Sequence, residues 1–171
     1  MYDNKELLEI ENIANIKLDD IYNCYPVPVG DICDKLGIEV VFDETMENDY
    51  YGSIKYEQNE SKYIISVNGK HSTYNNVFTI AHELGHFVKH REDVISKGFA
   101  DRKKTKYTPQ ENKKEREANN FAANLLMPED KFTEVFEKTN GNILILQNTF
   151  RVSKEAAHYR AINLSLGSLL G

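Results

Sequence analysis

The chain of 171 residues, 40% hydrophobic and 28% charged, has the make-up of a soluble globular protein and is long enough to bury a sizeable core. No apolar run approaches the roughly twenty residues of a membrane span, and the opening MYDNKELLEIEN lacks a signal-peptide core, so neither a span nor a leader is expected. The net charge of −6 is uneven: residues 1–60 hold fifteen acids against four bases, which argues against wholesale nucleic-acid binding, while 91–114 hold eight bases against four acids. Cys24 and Cys33 form no metal-type or framework spacing and read as free thiols of a cytoplasmic protein.

In chain order, residues 1–23 read as an amphipathic helix carrying Leu7, Leu8, Ile10, Ile13, Ile16, Leu18 and Ile21, broken by Pro26 and Pro28. A short helix follows over Val29–Leu36, with Gly37 as its C-terminal stop. Ile38–Phe42, Tyr51–Tyr56 and Tyr63–Val67 read as strands, and Asn68-Gly69 as a turn. Ser72 or Thr73 can then cap a helix over roughly 73–90, in which Val77, Ile80, Ala81, Leu84, Phe87 and Val88 recur at helical spacing. An irregular, lysine-rich connection leads to Thr108.

Thr108-Pro109-Gln110-Glu111 is a helix start: threonine caps, proline suits the first helical position, and Glu111 sits where a capping box needs its carboxylate. This helix is expected over 109–127, stopped by Pro128. Glu129–Lys138 gives another helix, closed by Asn140-Gly141, and the tail to Leu166 gives two short helices separated near Arg151-Val152-Ser153. The pattern predicts an α+β fold in one domain over 1–171. Its small antiparallel sheet packs on the 73–90 helix and the 109–127 helix, and its C-terminal part, 129–171, is helical.

The chemistry lies in His82-Glu83-Leu84-Gly85-His86, an instance of H-E-x-x-H. Residues four apart share a helix face, so two imidazoles can hold one metal ion, with Glu83 beside them as general base for a metal-bound water. Catalytic zinc takes three protein ligands and keeps a fourth position open. The 109–127 helix is the source for the third, since Ala118, Phe121, Ala122, Leu125 and Leu126 define a face to pack on the first helix. At about 100° per residue, Glu115 falls roughly 60° from the centre of that face and Glu117 roughly 100° away on the other side, beside Asn120 and Asn124. Glu115 is the choice and Glu117 the alternative. His90 continues the series one turn too far to reach the same ion, which leaves it a structural or surface role. Two histidines and a carboxylate suit one zinc per chain, although iron, cobalt and manganese also bind such donors.

With TIAHELGHFVKH at 79–90, EREANNFAANLLMP at 115–128 and VPVGDICDKLGIEV at 27–40, the chain resembles the ImmA/IrrE family of metallopeptidases. The resemblance implies a gluzincin-like site with His82, His86 and Glu115 as ligands, Glu83 as base, and Asn119, four positions after the ligand, supporting a histidine. It also implies a cytoplasmic bacterial or phage protease that cleaves a helix-turn-helix repressor to relieve repression. With no room for a DNA-binding domain ahead of Pro26, a stand-alone form acting on a separate repressor is expected. Gluzincin-like architecture further suggests substrate addition at a sheet edge near Lys62–Val67. His71, His158 and the tyrosines are the candidates for stabilising an oxyanion.

Two other classes compete. A metal-containing binding protein, a sensor or an antitoxin-like partner, would sequester a regulator without cutting it. The tail LQNTFRVSKEAAHYRAINL loosely resembles a helix-turn-helix with Arg160 on its second helix, but packing of Ile143, Leu144, Leu146, Phe150, Ala157 and Ile162 explains the same pattern, and nucleic acid is not the expected partner. The basic connection, with Arg102, Lys103, Lys104 and Lys106, lies between the ligand helices, either as a substrate-capturing flank or as a solvated loop.

Overall fold

The computed structural model describes residues 4–103 and 108–169. The first helix, α1 (Lys5–Ala14), is capped by the Asn4 side chain and stops at Asn15, whose φ of 54° is left-handed. It is shorter than the expected 1–23 because Glu11 turns the chain back: its carboxylate accepts from the Leu18 amide at 2.6 Å and the Tyr22 hydroxyl at 3.1 Å. Leu18 and Ile21 still reach the core, but from turns rather than from a helical face. Helix α2 (Val29–Leu36) ends on Gly37 at φ 68°, as its sequence requires.

Four strands follow: β1 (Glu39–Asp43), β2 (Tyr50–Glu57), β3 (Lys62–Asn68) and β4 (Phe99–Arg102), in the order β1-β3-β2-β4. β2 runs antiparallel to both β3 and β4, but β1 runs parallel to β3, so the sheet is mixed rather than wholly antiparallel. The short β2–β3 turn forces those two strands to oppose each other. β1 is left the outer side of β3, where it runs in the same direction. Flanked on both sides, β3 has no free edge, which overturns the expectation of substrate addition near Lys62–Val67.

Helix α3 (Thr73–Lys89) starts on Ser72, whose hydroxyl accepts from the Asn75 amide, and lies against the sheet. The approach is close: a Cβ on Gly52 of β2 would stand 2.6 Å from Thr79 Cγ2 and 2.7 Å from the Ser66 carbonyl oxygen. The stretch expected to be irregular contains α4 (Arg91–Ser96) and β4. Helix α5 (Pro109–Leu126) begins with the expected capping box, Thr108 accepting from the Glu111 amide and the Glu111 carboxylate accepting from the Thr108 amide at 2.8 Å. Its buried residues, Ala118, Phe121, Ala122, Leu125 and Leu126, are those assigned to the packing face. The α3–α5 crossing is set by Gly85, where a Cβ would stand 3.0 Å from the Ala118 backbone. A bare glycine therefore lets Glu115, one turn from Ala118, reach the histidines.

Helices α6 (Glu129–Lys138), α7 (Ile143–Phe150) and α8 (Lys154–Asn163) close the fold. Leu146, Phe150, Val152 and Ala157 are buried, whereas Leu144 and Ile162 are exposed. Arg160, the residue a DNA-reading tail would offer, is buried and donates to the Met127 carbonyl at 2.9 Å and the Asn124 side chain at 2.8 Å. Among the described residues, no helix is long and apolar enough to cross a membrane.

Candidate metal centre

α3 places His82 and His86 one turn apart, and its C-cap His90 continues the series, all three buried, with Glu83 fully buried beside them. From α5, Glu115 brings one carboxylate oxygen to 3.1 Å from His82 Nε2 and the other to 3.4 Å from His86 Nε2. The two Nε2 atoms are 3.1 Å apart. Each outer nitrogen is engaged as well. His82 Nδ1 lies 2.8 Å from Asn119 Oδ1, and His86 Nδ1 lies 3.0 Å from His90 Nδ1. An amide oxygen only accepts, so His82 carries a hydrogen on Nδ1, and its Nε2 is the nitrogen that faces the centre.

Electrostatics divide the cluster. Burial alone would lower the His82 pKa, but the hydrogen bond to Glu115 and the charges of Glu83, Asp101 and Glu115 carry it up to about 9. Burial pushes His86 down to about 4, with the charges of His82 and His90 adding to it and Glu115 opposing. Glu115 is held at about 2, against its burial, by the hydrogen bonds from both histidines. Burial raises Glu83 to about 8, and the charges of Asp101 and Glu115 add to it. Neither Glu83 oxygen has a hydrogen-bond partner among the described residues, which is a costly way to bury a carboxylate.

The donor set fits a divalent cation. Two imidazole nitrogens and a carboxylate face one another here, an arrangement stabilised by positive charge among them, whether a proton or a metal ion. The 3.1 Å between the two Nε2 atoms is close to the roughly 3.3 Å edge of a tetrahedron whose ligands stand about 2.0–2.1 Å from zinc, and each Nε2 has a Glu115 oxygen within 3.4 Å. The orphaned carboxylate of Glu83 has the position and chemistry to take a proton from a water held there.

His82, His86 and Glu115 thus come together as the sequence reading expected, with Glu83 alongside. Glu117, the alternative ligand, is directed elsewhere: its Oε2 accepts from His90 Nε2 at 2.6 Å. Two contributors were not anticipated. Asp101 on β4 sets a half-buried carboxylate 4.0 Å from His82 Nε2, and Phe99 stacks its ring on His86 at 3.8 Å and 11°. Their order in the chain carries no motif; the pairing of β4 with β2 brings them in.

A cleft of about 560 Å³ borders the cluster, lined by Thr79, Asp101 and Asn119 near the metal donors and by Tyr51, Tyr74 and Tyr159 further out. Neither His71 nor His158 lines it. His71 instead meets the Asn48 carbonyl oxygen through Nε2 at 3.1 Å. Of the basic connection, Arg102 is tied to Asp49 at 2.6 Å and stacks over Tyr50, while Lys104 and Lys106 lie outside the described residues.

An α+β fold carrying two histidines from α3, a glutamate from α5 and a buried glutamate beside them defines a metallopeptidase-like class of protein. Residues 33–161 match the family described as the IrrE N-terminal-like domain, Peptidase M78, and the chain belongs to that family. Among solved structures, the fold is similar to that of a Mycobacterium tuberculosis transcriptional regulator, with a TM-score of 0.58 and 17% identity over 93% of this chain and 47% of that one. The chain therefore spans about half the length of that protein. No curated protein matches the sequence.

Proposed function

We propose that this protein is a zinc-dependent endopeptidase that cleaves a helix-turn-helix repressor and so relieves repression. The observation that carries the reading is the convergence of His82, His86 and Glu115 donor atoms beside the unpartnered, buried carboxylate of Glu83. Family membership supports peptide hydrolysis as the reaction class. Zinc at such donors supplies Lewis acidity for the scissile carbonyl and lowers the pKa of a water to roughly 7.

The chain's own residues do the rest. His82, His86 and Glu115 would hold the metal. Glu83 takes the proton of the attacking water on a carboxylate oxygen and delivers it to the leaving amine. Positive charge beside Glu83 would favour the ionised carboxylate, the form that accepts a proton. The cleft lined by Thr79, Tyr51, Tyr74 and Tyr159 receives the polypeptide next to the cluster. In the sequence reading this is a cytoplasmic protein of one domain over 1–171, and we retain both as part of the proposal.

The test pairs wild type with Glu83→Gln, both zinc-loaded, against candidate helix-turn-helix repressors of the same genome. Full-length repressor should disappear with wild type, and the variant should cleave about 10²–10⁴-fold more slowly with zinc content unchanged. Equal cleavage by the variant would remove Glu83 from the mechanism. A stable complex with intact repressor would favour a metal-containing binding protein, a reading supported by the matched structure's being called a transcriptional regulator.

A further inference from the structure

His90 and Glu117 are not used by the proposed chemistry, yet they form a chain of contacts that leads from the half-exposed Glu117 through the buried His90 into it. Glu117 Oε2 lies 2.6 Å from His90 Nε2, and His90 Nδ1 lies 3.0 Å from His86 Nδ1. An ionised carboxylate accepts hydrogen bonds and cannot donate them, so His90 Nε2 carries a hydrogen. When that is the only hydrogen on the His90 ring, its Nδ1 is a bare acceptor. A 3.0 Å nitrogen–nitrogen contact needs one hydrogen between its members, so that hydrogen belongs to His86 Nδ1. With Nδ1 protonated, His86 is left with its lone pair on Nε2, the atom that faces Glu115 and His82.

From this geometry we infer that His90 and Glu117 are positioning residues, a carboxylate–histidine relay that fixes the tautomer and ring orientation of His86 so that Nε2 is held ready for the metal. The inference rests on the metal-site reading above. The relay gives each ligand histidine an acceptor behind it, a single amide behind His82 and a two-residue chain behind His86. Phe99, stacked on His86 and tilted against His90 at 5.8 Å, keeps both rings from turning away. Partners behind a ligand histidine commonly change metal affinity about 10–100-fold when removed.

Three variants test it. His90→Phe keeps a ring but has no acceptor; His90→Asn restores an amide oxygen near the position of Nδ1; Glu117→Ala frees His90 to exchange its hydrogen between nitrogens. Zinc affinity is read by chelator competition, the visible spectrum of the cobalt-substituted protein reports ligand geometry, and melting of the metal-free protein reports the fold. His90→Phe should weaken zinc about 10–100-fold and alter the cobalt spectrum, and His90→Asn should recover most of both. Glu117→Ala should fall between. Unchanged zinc affinity in His90→Phe and Glu117→Ala would overturn the relay, as would a His90→Asn variant no better than His90→Phe, which would mark a packing role. If His90→Phe does not fold, Glu117→Ala, altered at a more exposed side chain, decides alone. Wild type that takes up no zinc would overturn the metal reading and the relay with it, whereas zinc-binding wild type with indifferent variants would sink the relay alone.

Discussion

The two flanks of the His–Glu cluster use the same residue type, one helical turn apart, in opposite electrostatic settings. His82 faces Glu83, Asp101 and Glu115 and is backed by the neutral amide of Asn119, and its pKa is carried up to about 9. His86 lies under the ring of Phe99 and is backed by another histidine, and burial takes it down to about 4. The helix supplies the spacing; the neighbours from β4 and α5 supply the tuning. One flank holds a proton tightly and gives it up only to a competing cation, while the other presents a bare nitrogen over most of the accessible pH range.

Glu115 bridges the flanks, so its removal has the largest expected effect. Glu115→Ala should take the purified protein from about one zinc per chain to essentially none by elemental mass spectrometry. It should also lower the pKa of both histidines, because Glu115 raises each of them. Full zinc retention in this variant would show that a different donor set, His82 with Glu83 and Asp101, takes the ion.

A smaller effect sharpens the same contrast. Asn119→Ala removes the single acceptor behind His82 and should weaken zinc about tenfold or somewhat more. Combined with His90→Phe, whose action is on His86, the factors should multiply if the flanks are independent. A double variant no weaker than the worse single one would mean that the two backing groups act through one shared rearrangement of α3 against α5.

How much of this was legible follows the same division. The α3–α5 frame could be read because each part has a local cause: the four-residue histidine spacing, the Thr108–Glu111 capping box, the apolar face from Ala118 to Leu126. The angular argument favoured Glu115 over Glu117, and in the structure Glu115 faces His82 and His86 while Glu117 faces His90. Phe99 and Asp101 were hidden because β4 is four residues long, lacks alternation and sits in a lysine-rich stretch; its pairing with β2, from Tyr50 to Ile54, makes it a strand. His90 was set aside on reach. That argument left out His86, one turn away, whose second nitrogen lies 3.0 Å from His90 Nδ1. At the N-terminus the hydrophobic periodicity beyond Asn15 was real as burial and misleading as helix, since Glu11 caps the turn that follows.

The subtlest test of the contrast is the pH dependence of stability in the protein with protons alone in the cluster. His82 has a folded pKa of about 9 above its ordinary 6.5, so its contribution is complete below 6.5 and is lost as pH rises through 9. Glu83, at about 8 against 4.5, contributes in the same sense, its share complete below 4.5 and lost as pH climbs through 8. Glu115, at about 2, and His86, at about 4, contribute above their unfolded values and lose stability only as pH falls through those lower figures. Between pH 6.5 and 9 the last two are therefore constant and the first two decline, so the melting temperature of the zinc-free protein should fall across that window. Zinc-loaded protein should not follow, because the ion takes the place of the proton between His82 and Glu115, so the gap between the two melting curves should widen with pH. In Glu83→Gln the decline should persist in part, leaving the share of His82. A zinc-free melting temperature that holds flat or rises from pH 6.5 to 9 would mean that the carboxylates around His82 do not hold its proton, and the difference between the flanks would then be one of shape alone.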